Sequence, residues 1–293
     1  MNDTWNSIAK SITDATSEAF IIQDCKTLSG GSINRAFSVE SASQRFFVKL
    51  NNASRKDMFA AEAAGLSELA NTGAIRVPSV IAQGADGNEA WLILEHIALS
   101  PTNSDAVLGE QLAAMHRACA PYFGWPRDNT IGSTLQRNTR ASNWTDFFRD
   151  QRLGFQLALA REHGASHSLL DSGDQVLELM PAFFSDYQPA PSLLHGDLWA
   201  GNRGTDEHGA PVIYDPAVYW GDREADVAMT ELFGGFGAAF YAAYDAVWPR
   251  EPGYKIRRDL YNLYHLLNHF NLFGGGYAGQ ALSVMKGLSS EVA

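Results

Sequence analysis

Hydrophobic positions along this chain change period twice, and the two changes divide it into a sheet-forming and a helical part. In residues 3–17, Trp5, Ile8 and Ile12 recur at helical spacing and predict a short leading helix. From residue 20 the period shortens. Ile21-Ile22, Ala36-Phe37-Ser38-Val39 and Phe46-Phe47-Val48 are β-prone runs separated by Ser29-Gly30-Gly31-Ser32 and Ser41-Ala42-Ser43, so three antiparallel strands are expected. A helix over 57–70 follows, with Met58, Ala61, Gly65, Leu66 and Leu69 on its inward face. Two more strands, 79–83 and 90–97, split by Ala85-Asp86-Gly87-Asn88, complete a five-stranded antiparallel sheet carrying one helix. Leu99-Ser100-Pro101 reads as a crossover. Beyond it, helices are expected over 105–119, 144–163, 174–184, 225–233, 237–247, 254–273 and 280–286. The fold class is therefore α+β in two lobes, 1–97 rich in strands and 98–293 mainly helical.

The helical pattern breaks between Leu193 and Asp226. Asp197 follows the run Ser192-Leu193-Leu194-His195-Gly196, and Asp215 follows Val212-Ile213-Tyr214. Asp206-Glu207-His208-Gly209 is a turn between them. If the turn is tight, Thr205 faces Ala210 and the ladder carries Asn202 toward Asp215. Two solvated turns would also explain these acids, since Asp and Gly are ordinary turn residues. Their position directly behind apolar runs favours a site, and hard oxygen donors of this kind suit Mg²⁺ shared with substrate phosphates. The spacing of His195, Asp197, Leu198 and Asn202 matches the kinase catalytic loop, with Asp as base and Asn as metal ligand. Asp215 stands where the second metal-binding Asp belongs.

Lys49 ends the third predicted strand, and Glu62 falls on the inward face of the helix that follows. A carboxylate packed inward costs several kcal/mol unless paired, which makes Lys49 its expected partner. Gly30, Gly31 and Ser32 form a turn whose backbone amides can approach phosphate, although it is neither a full G-x-G-x-x-G nor a Walker motif. His116 lacks a second ligand at helical spacing and is expected to be packed or capping.

Composition narrows the partners. A net charge of −11 without a basic stripe argues against nucleic acid and against an anionic membrane surface. No apolar run reaches 18 residues, and the first residues do not read as a signal peptide. Two distant cysteines, Cys25 and Cys119, make a disulfide framework unexpected and point to a reducing cytoplasm.

Taken in order, Lys49, Glu62, Asp197, Asn202 and Asp215 resemble the protein-kinase-like superfamily. The chain is most similar to the fructosamine kinase (ketosamine-3-kinase) family, over nearly its whole length. The motifs that carry this are Ser29-Gly30-Gly31-Ser32-Ile33-Asn34, Met58-Phe59-Ala60-Ala61-Glu62, His195-Gly196-Asp197-Leu198-Trp199-Ala200-Gly201-Asn202 and Tyr214-Asp215-Pro216-Ala217-Val218-Tyr219-Trp220-Gly221-Asp222-Arg223-Glu224-Ala225-Asp226. Late Leu267-Asn268-His269-Phe270 and Gly274-Gly275-Gly276-Tyr277 also look familial.

The resemblance implies transfer of the γ-phosphate of ATP to the C3 hydroxyl of a ketosamine, free or protein-bound, and hence deglycation. It makes Asp197 the base, Asn202 and Asp215 the Mg²⁺ ligands, and Lys49 with Glu62 the phosphate holders. It places adenine against the backbone of Glu95 and Ile97. His195 is expected to brace the catalytic loop and Asp226 to bond its backbone. Trp199, Tyr219 and Trp220 are candidates either for stacking on the sugar or for the core, and Asp222 and Glu224 either for attracting the substrate amine or for a solvated acidic turn screened by Arg223. Asp215 is followed by Pro216-Ala217 rather than Phe-Gly, and no activation segment fits before Gly221-Asp222, so a loop-switched protein kinase is not expected. Some relatives carry cysteine where this chain has Ser32. The rival readings are an aminoglycoside, choline or homoserine-type phosphotransferase, and a nucleotide-binding pseudokinase.

Overall fold

The computed structural model of the chain describes residues 3–29 and 33–292. The chain forms two compact units, Met1–Ser104 with Gly204–Asp215, and Asp105–Arg203 with Pro216–Ala293. A single cut at 97/98 was expected. The first unit instead runs on to Ser104 and takes back the segment that ends at Asp215.

In the first unit, helix α1 (Asp3–Thr16) precedes strands β1 (Asp24–Leu28), β2 (Arg35–Glu40) and β3 (Arg45–Asn52). Helix α2 (Lys56–Asn71) and strands β4 (Val80–Asp86) and β5 (Glu89–Glu95) follow. The strands form one sheet in the order β1-β2-β3-β5-β4, every neighbouring pair antiparallel. Ile8 and Ile12 of α1 pack with Val39, Phe46, Val48, Trp91 and Ile93 in a buried core. Ile21-Ile22 is not a strand: Ile22 is buried but Ile21 points outward, and the ladder begins at Gln23, whose N–H donates to Glu40. Strand β1 is a polar edge strand, largely exposed and paired on one side only, so no apolar alternation announces it.

The crossover Leu99-Ser100 is itself a short strand. It pairs with Arg203–Asp206, which lies beside Pro211–Ile213. In that hairpin Gly209 adopts φ +84° and donates to the Asp206 carbonyl, while Asp206 N–H donates to Ala210. Asp206, not Thr205, therefore opposes Ala210. The loop is thus three residues, Glu207 to Gly209, closed by a left-handed glycine, one fewer than the four expected, and that shifts the register. Arg76 straps the hairpin down. Its carbonyl accepts from Ile213 N–H, and its guanidinium holds both Asp206 and, at 2.6 Å, Glu95.

The second unit holds α3 (Asp105–His116), α4 (Trp144–Phe147), α5 (Phe155–Glu162), α6 (His167–Glu178), α7 (Arg223–Leu232), α8 (Ala238–Val247), α9 (Tyr254–Phe273) and α10 (Tyr277–Val292). The helix expected over 144–163 is interrupted by a π-helical stretch, Phe148–Gly154. That stretch carries the fully buried Arg152, whose guanidinium donates to Arg137 O and Asn138 Oδ1 and lies 4.0 Å over the Tyr219 ring. The helix expected from 174 starts earlier, capped by Ser166, and gives way to a tighter 3₁₀ turn at Met180–Phe184, where Pro181 stands in its first turn. Two short strands, Ser192–Leu194 and Tyr219–Gly221, pair antiparallel and lead into and out of the catalytic-loop sequence.

Helix α9 is buried on every side from Leu260 to Asn268, and His265 lies within that stretch. Burial, reinforced by His269, pushes the His265 imidazole down to about 3. Because the folded-state value lies below the unfolded one, its stabilising contribution is whole above pH 6.5 and is lost as pH falls toward 3. Between those limits the loss approaches about 1.4 kcal/mol per pH unit. Urea unfolding of the wild type and His265→Asn between pH 4.5 and 7.5 checks this, and the variant is expected to show the shallower acid slope.

Candidate active site

In the first unit the site grows from strand alternation. Val48 and Leu50 enter the core beneath α1, so Lys49 between them faces the opposite side of the sheet. There α2 presents Glu62. Lys49 Nζ lies 2.6 Å from Glu62 Oε1 and 2.5 Å from Asp215 Oδ1. The Lys49 side chain is 7% exposed and that of Glu62 11%, whereas that of Asp215 is 45% exposed. Burial alone would push the ammonium's pKa down. Asp215 and Glu62 outweigh it and hold the pKa above the ordinary lysine value, so Lys49 stays charged. Burial, with repulsion from Asp215, raises the Glu62 carboxyl against the pull of Lys49. Asp215 sits at φ +58°, in the left-handed region. Aspartate is among the few side chains that enter it readily, and the conformation turns the chain sharply just after Pro211–Ile213.

In the second unit Asp226 organises the loop. Its two carboxylate oxygens accept from the N–H groups of His195 (2.6 Å) and Gly196 (2.8 Å). His116 Nε2 lies 3.2 Å from the same carboxylate, and its Nδ1 lies 2.8 Å from the Tyr244 hydroxyl. Desolvation lowers the His116 pKa, so the ring is neutral. Asp226 can only accept, so Nε2 carries the proton and Nδ1 takes the hydroxyl hydrogen. Burial would raise the Asp226 carboxyl, but His116 and the amide of Gly196 hold it below the usual range. Gly196 adopts φ +82°, and a Cβ there would overlap the Ala217 carbonyl oxygen, so only glycine lets the loop pass. His195 is fully buried and accepts from Asp197 N–H at Nδ1, while its carbonyl takes Ala217 N–H. Asn202 donates from Nδ2 to both the carbonyl (2.9 Å) and the carboxylate (3.2 Å) of Asp197. That fixes the orientation of its amide.

The other expected residues divide. Gly30, Gly31 and Ser32 lie outside the described residues. Glu95 donates its N–H to Ser79, so this amide is not available to a purine, and its carboxylate is paired with Arg76. Ile97 is half-buried in irregular backbone after β5. Trp199 is 40% exposed, its indole laid over Gly201. Trp220 is half-buried and exchanges both backbone hydrogen bonds with Gly124. Tyr219 is buried beneath Arg152.

Asp222 and Glu224 do not attract a substrate amine, nor do they form a solvated turn. Both are fully buried. Asp222 caps α7 through Glu224 N–H and accepts from Tyr187 and Tyr261. Glu224 pairs with Arg257 at 2.7 Å and accepts from Glu251 N–H. Their partners lie some 30 residues away, out of reach of local pattern reading. Sequence reasoning also missed Arg76 and Tyr244. Neither stands near a motif, and only the fold brings them to Asp206 and His116.

The donor chemistry fits the groups a kinase requires. Lys49 supplies a charged, desolvated ammonium, and Asp215 and Asn202 supply hard oxygens. Mg²⁺ characteristically takes one or two protein oxygens and completes its shell with phosphates and water.

Solved structures agree on the architecture. An aminoglycoside phosphotransferase in ternary complex with AMP-PNP and hygromycin B superposes with TM-score 0.66 at 18% identity, over 98% of this chain and 99% of its own, which bears on the fold alone. Fold and site define a kinase-like phosphotransferase. Within that class the chain belongs to the fructosamine kinase family, whose sequence model matches residues 4–291. A Synechocystis protein provisionally named a ketoamine kinase is 47% identical over 285 residues, 96% of each chain. The chloroplastic protein-ribulosamine 3-kinase of Arabidopsis thaliana is 43% identical over 263 residues, 88% of this chain and 80% of its own. A crystal structure from Haemophilus somnus, provisionally described as a fructosamine-3-kinase, has TM-score 0.90 at 30% identity over 97% of both chains.

Removing one partner of the Glu224–Arg257 pair leaves an uncompensated buried charge, which costs about 3–5 kcal/mol. Glu224→Ala is therefore expected to lower Tm sharply in calorimetry, and adding Arg257→Met should recover much of the loss.

Proposed function

We propose that the protein transfers the γ-phosphate of ATP to the C3 hydroxyl of a ketosamine, the adduct of a ketose with an amine. The observation that carries this reading is the single buried ammonium shared by Glu62 and Asp215, in a chain of the fructosamine kinase family. Residues 1–97 serve the nucleotide in this reading, and residues 98–293 supply the base and the acceptor subsite.

Lys49 steadies the phosphates, and Glu62 keeps the ammonium charged and aimed. Asp215 and Asn202 hold Mg²⁺, which when bound neutralises charge on the phosphates. Of Glu95 only the carbonyl is offered to adenine, together with the backbone of Ile97. Asp197, its carboxylate braced by Asn202 Nδ2, orients the C3 hydroxyl and accepts its proton. The new bond joins O3 to γ-phosphorus, the bond from γ-phosphorus to the β-bridging oxygen breaks, and ADP leaves. Asp226 and His195 act through the loop and touch no reacting atom. Trp199, exposed two residues from the base, and Trp220 line the sugar's approach.

The role that follows is deglycation, because a 3-phosphorylated adduct breaks down and releases its amine. Cys25 and Cys119 are free thiols, which fits a reducing cytoplasm. Among the described residues no helix is long and apolar enough to cross a membrane.

ADP release measured side by side with ribulosyl-lysine, fructosyl-lysine, an aminoglycoside and choline tests the reading. Turnover is expected with a ketosamine only. Asp197→Ala should lower kcat by about 10²–10⁴-fold while ATP still raises Tm. Preference for an aminoglycoside or choline, or turnover undiminished in Asp197→Ala, would overturn it.

A further inference from the structure

Helix α7 is followed by Phe233-Gly234-Gly235 and α9 ends in Phe273 followed by Gly274-Gly275, with every one of these glycines at positive φ. The two ends belong to one aromatic wall in the second unit. Trp199 meets Phe233 edge-on at 6.5 Å between centroids, and Phe233 lies 5.0 Å from His269. His269 in turn contacts Phe273 at 5.7 Å and Tyr277 at 5.1 Å. Trp199, Phe233 and Phe273 are 40%, 42% and 53% exposed, so the wall is open. A contiguous exposed aromatic surface on a folded protein generally marks a binding site. This one begins on the loop of the proposed base, since Trp199 N–H donates to the Asp197 carbonyl.

Aromatic faces attract cations. Helix C-termini carry partial negative charge and N-termini partial positive; α7 and α9 end near the wall, while α10 begins at Tyr277. His269 supplies a directed acceptor. Its Nδ1 lies 2.8 Å from the His265 carbonyl, which can only accept, so the proton sits on Nδ1 and the Nε2 lone pair faces outward from that bond. Burial, working against that hydrogen bond, lowers the His269 pKa and keeps the ring neutral. Nε2 has no hydrogen-bond partner among the described residues. The nearby cation Arg203 is engaged by Asp105 and the Gly235 carbonyl. An aromatic surface with a directed neutral acceptor suits a protonated amine on an alkyl stem.

Resting on the reading of the protein as a ketosamine kinase, we propose that this wall is the subsite for the amine arm of the acceptor. The secondary ammonium of the ketosamine donates to His269 Nε2, and the alkyl stem beyond it lies on Phe233 and Phe273, which flank that ring, while Trp199 stays with the sugar. Recognition of the amine is thereby separated from recognition of the sugar, and the wall makes the enzyme prefer adducts to free ketoses.

The test compares the wild type with His269→Phe, which keeps a ring but deletes the acceptor, and Phe233→Leu, which keeps apolar volume without an aromatic face. Each is assayed for KM and kcat with ribulosyl-lysine and with free ribulose, which lacks the amine. His269→Phe is expected to raise KM for ribulosyl-lysine about tenfold, and Phe233→Leu about three- to fivefold. KM for ribulose and for ATP should stay within twofold, and both variants should melt near the wild type. Equal losses on both acceptors, or no loss on either, would overturn the assignment while leaving the kinase reading intact. A wild type that phosphorylates no ketosamine would sink both.

Discussion

One buried ammonium sets the terms for the first unit. Lys49 sits on a central strand, Glu62 on the helix packed against it and Asp215 at the end of a hairpin contributed from 166 residues further along. Taking an ion out of water costs several kcal/mol even after relaxation, and the two carboxylates must offset that. Three segments are therefore fixed to within a hydrogen bond of each other by a charge that none of them can leave unpaired. Asp215 accepts a left-handed backbone to complete the set, and Arg76 holds its hairpin by backbone and side chain at once. An interior built only for stability would more cheaply use apolar side chains here. In the proposed function this charge serves the phosphates.

The second unit repeats the device with opposite sign. Asp226 is buried, and its charge is absorbed by two consecutive loop amides and a neutral imidazole. The loop that carries Asp197 and Asn202 is thereby held at its root, with Gly196 making the close pass. In phosphoryl transfer, where positioning and charge stabilisation supply most of the rate, such preorganisation is the protein's principal contribution.

How far the chain could be read in advance follows from the range of each interaction. The Lys49–Glu62 pairing was legible because a carboxylate on the inward face of a helix demands a cation. The five-stranded sheet and most helices followed from their periods. Strand β1 was misplaced onto Ile21-Ile22 because an exposed edge strand needs no apolar alternation. The hairpin register slipped by one because a left-handed glycine closes the loop in three residues rather than four. Asp222 and Glu224 look like surface acids until Tyr187, Tyr261 and Arg257 arrive from distant segments. The aromatic wall was invisible for the same reason: Trp199, Phe233 and His269 share no spacing, only a place.

The central claim is that Glu62 serves the reaction solely through Lys49. A double-mutant cycle measures that directly, with kcat determined for Lys49→Met, Glu62→Gln and the double variant on a ketosamine acceptor. Residues acting as one unit are strongly non-additive, so the double variant should lose no more than Lys49→Met alone. Losses that multiply would show two independent contributions and contradict the account.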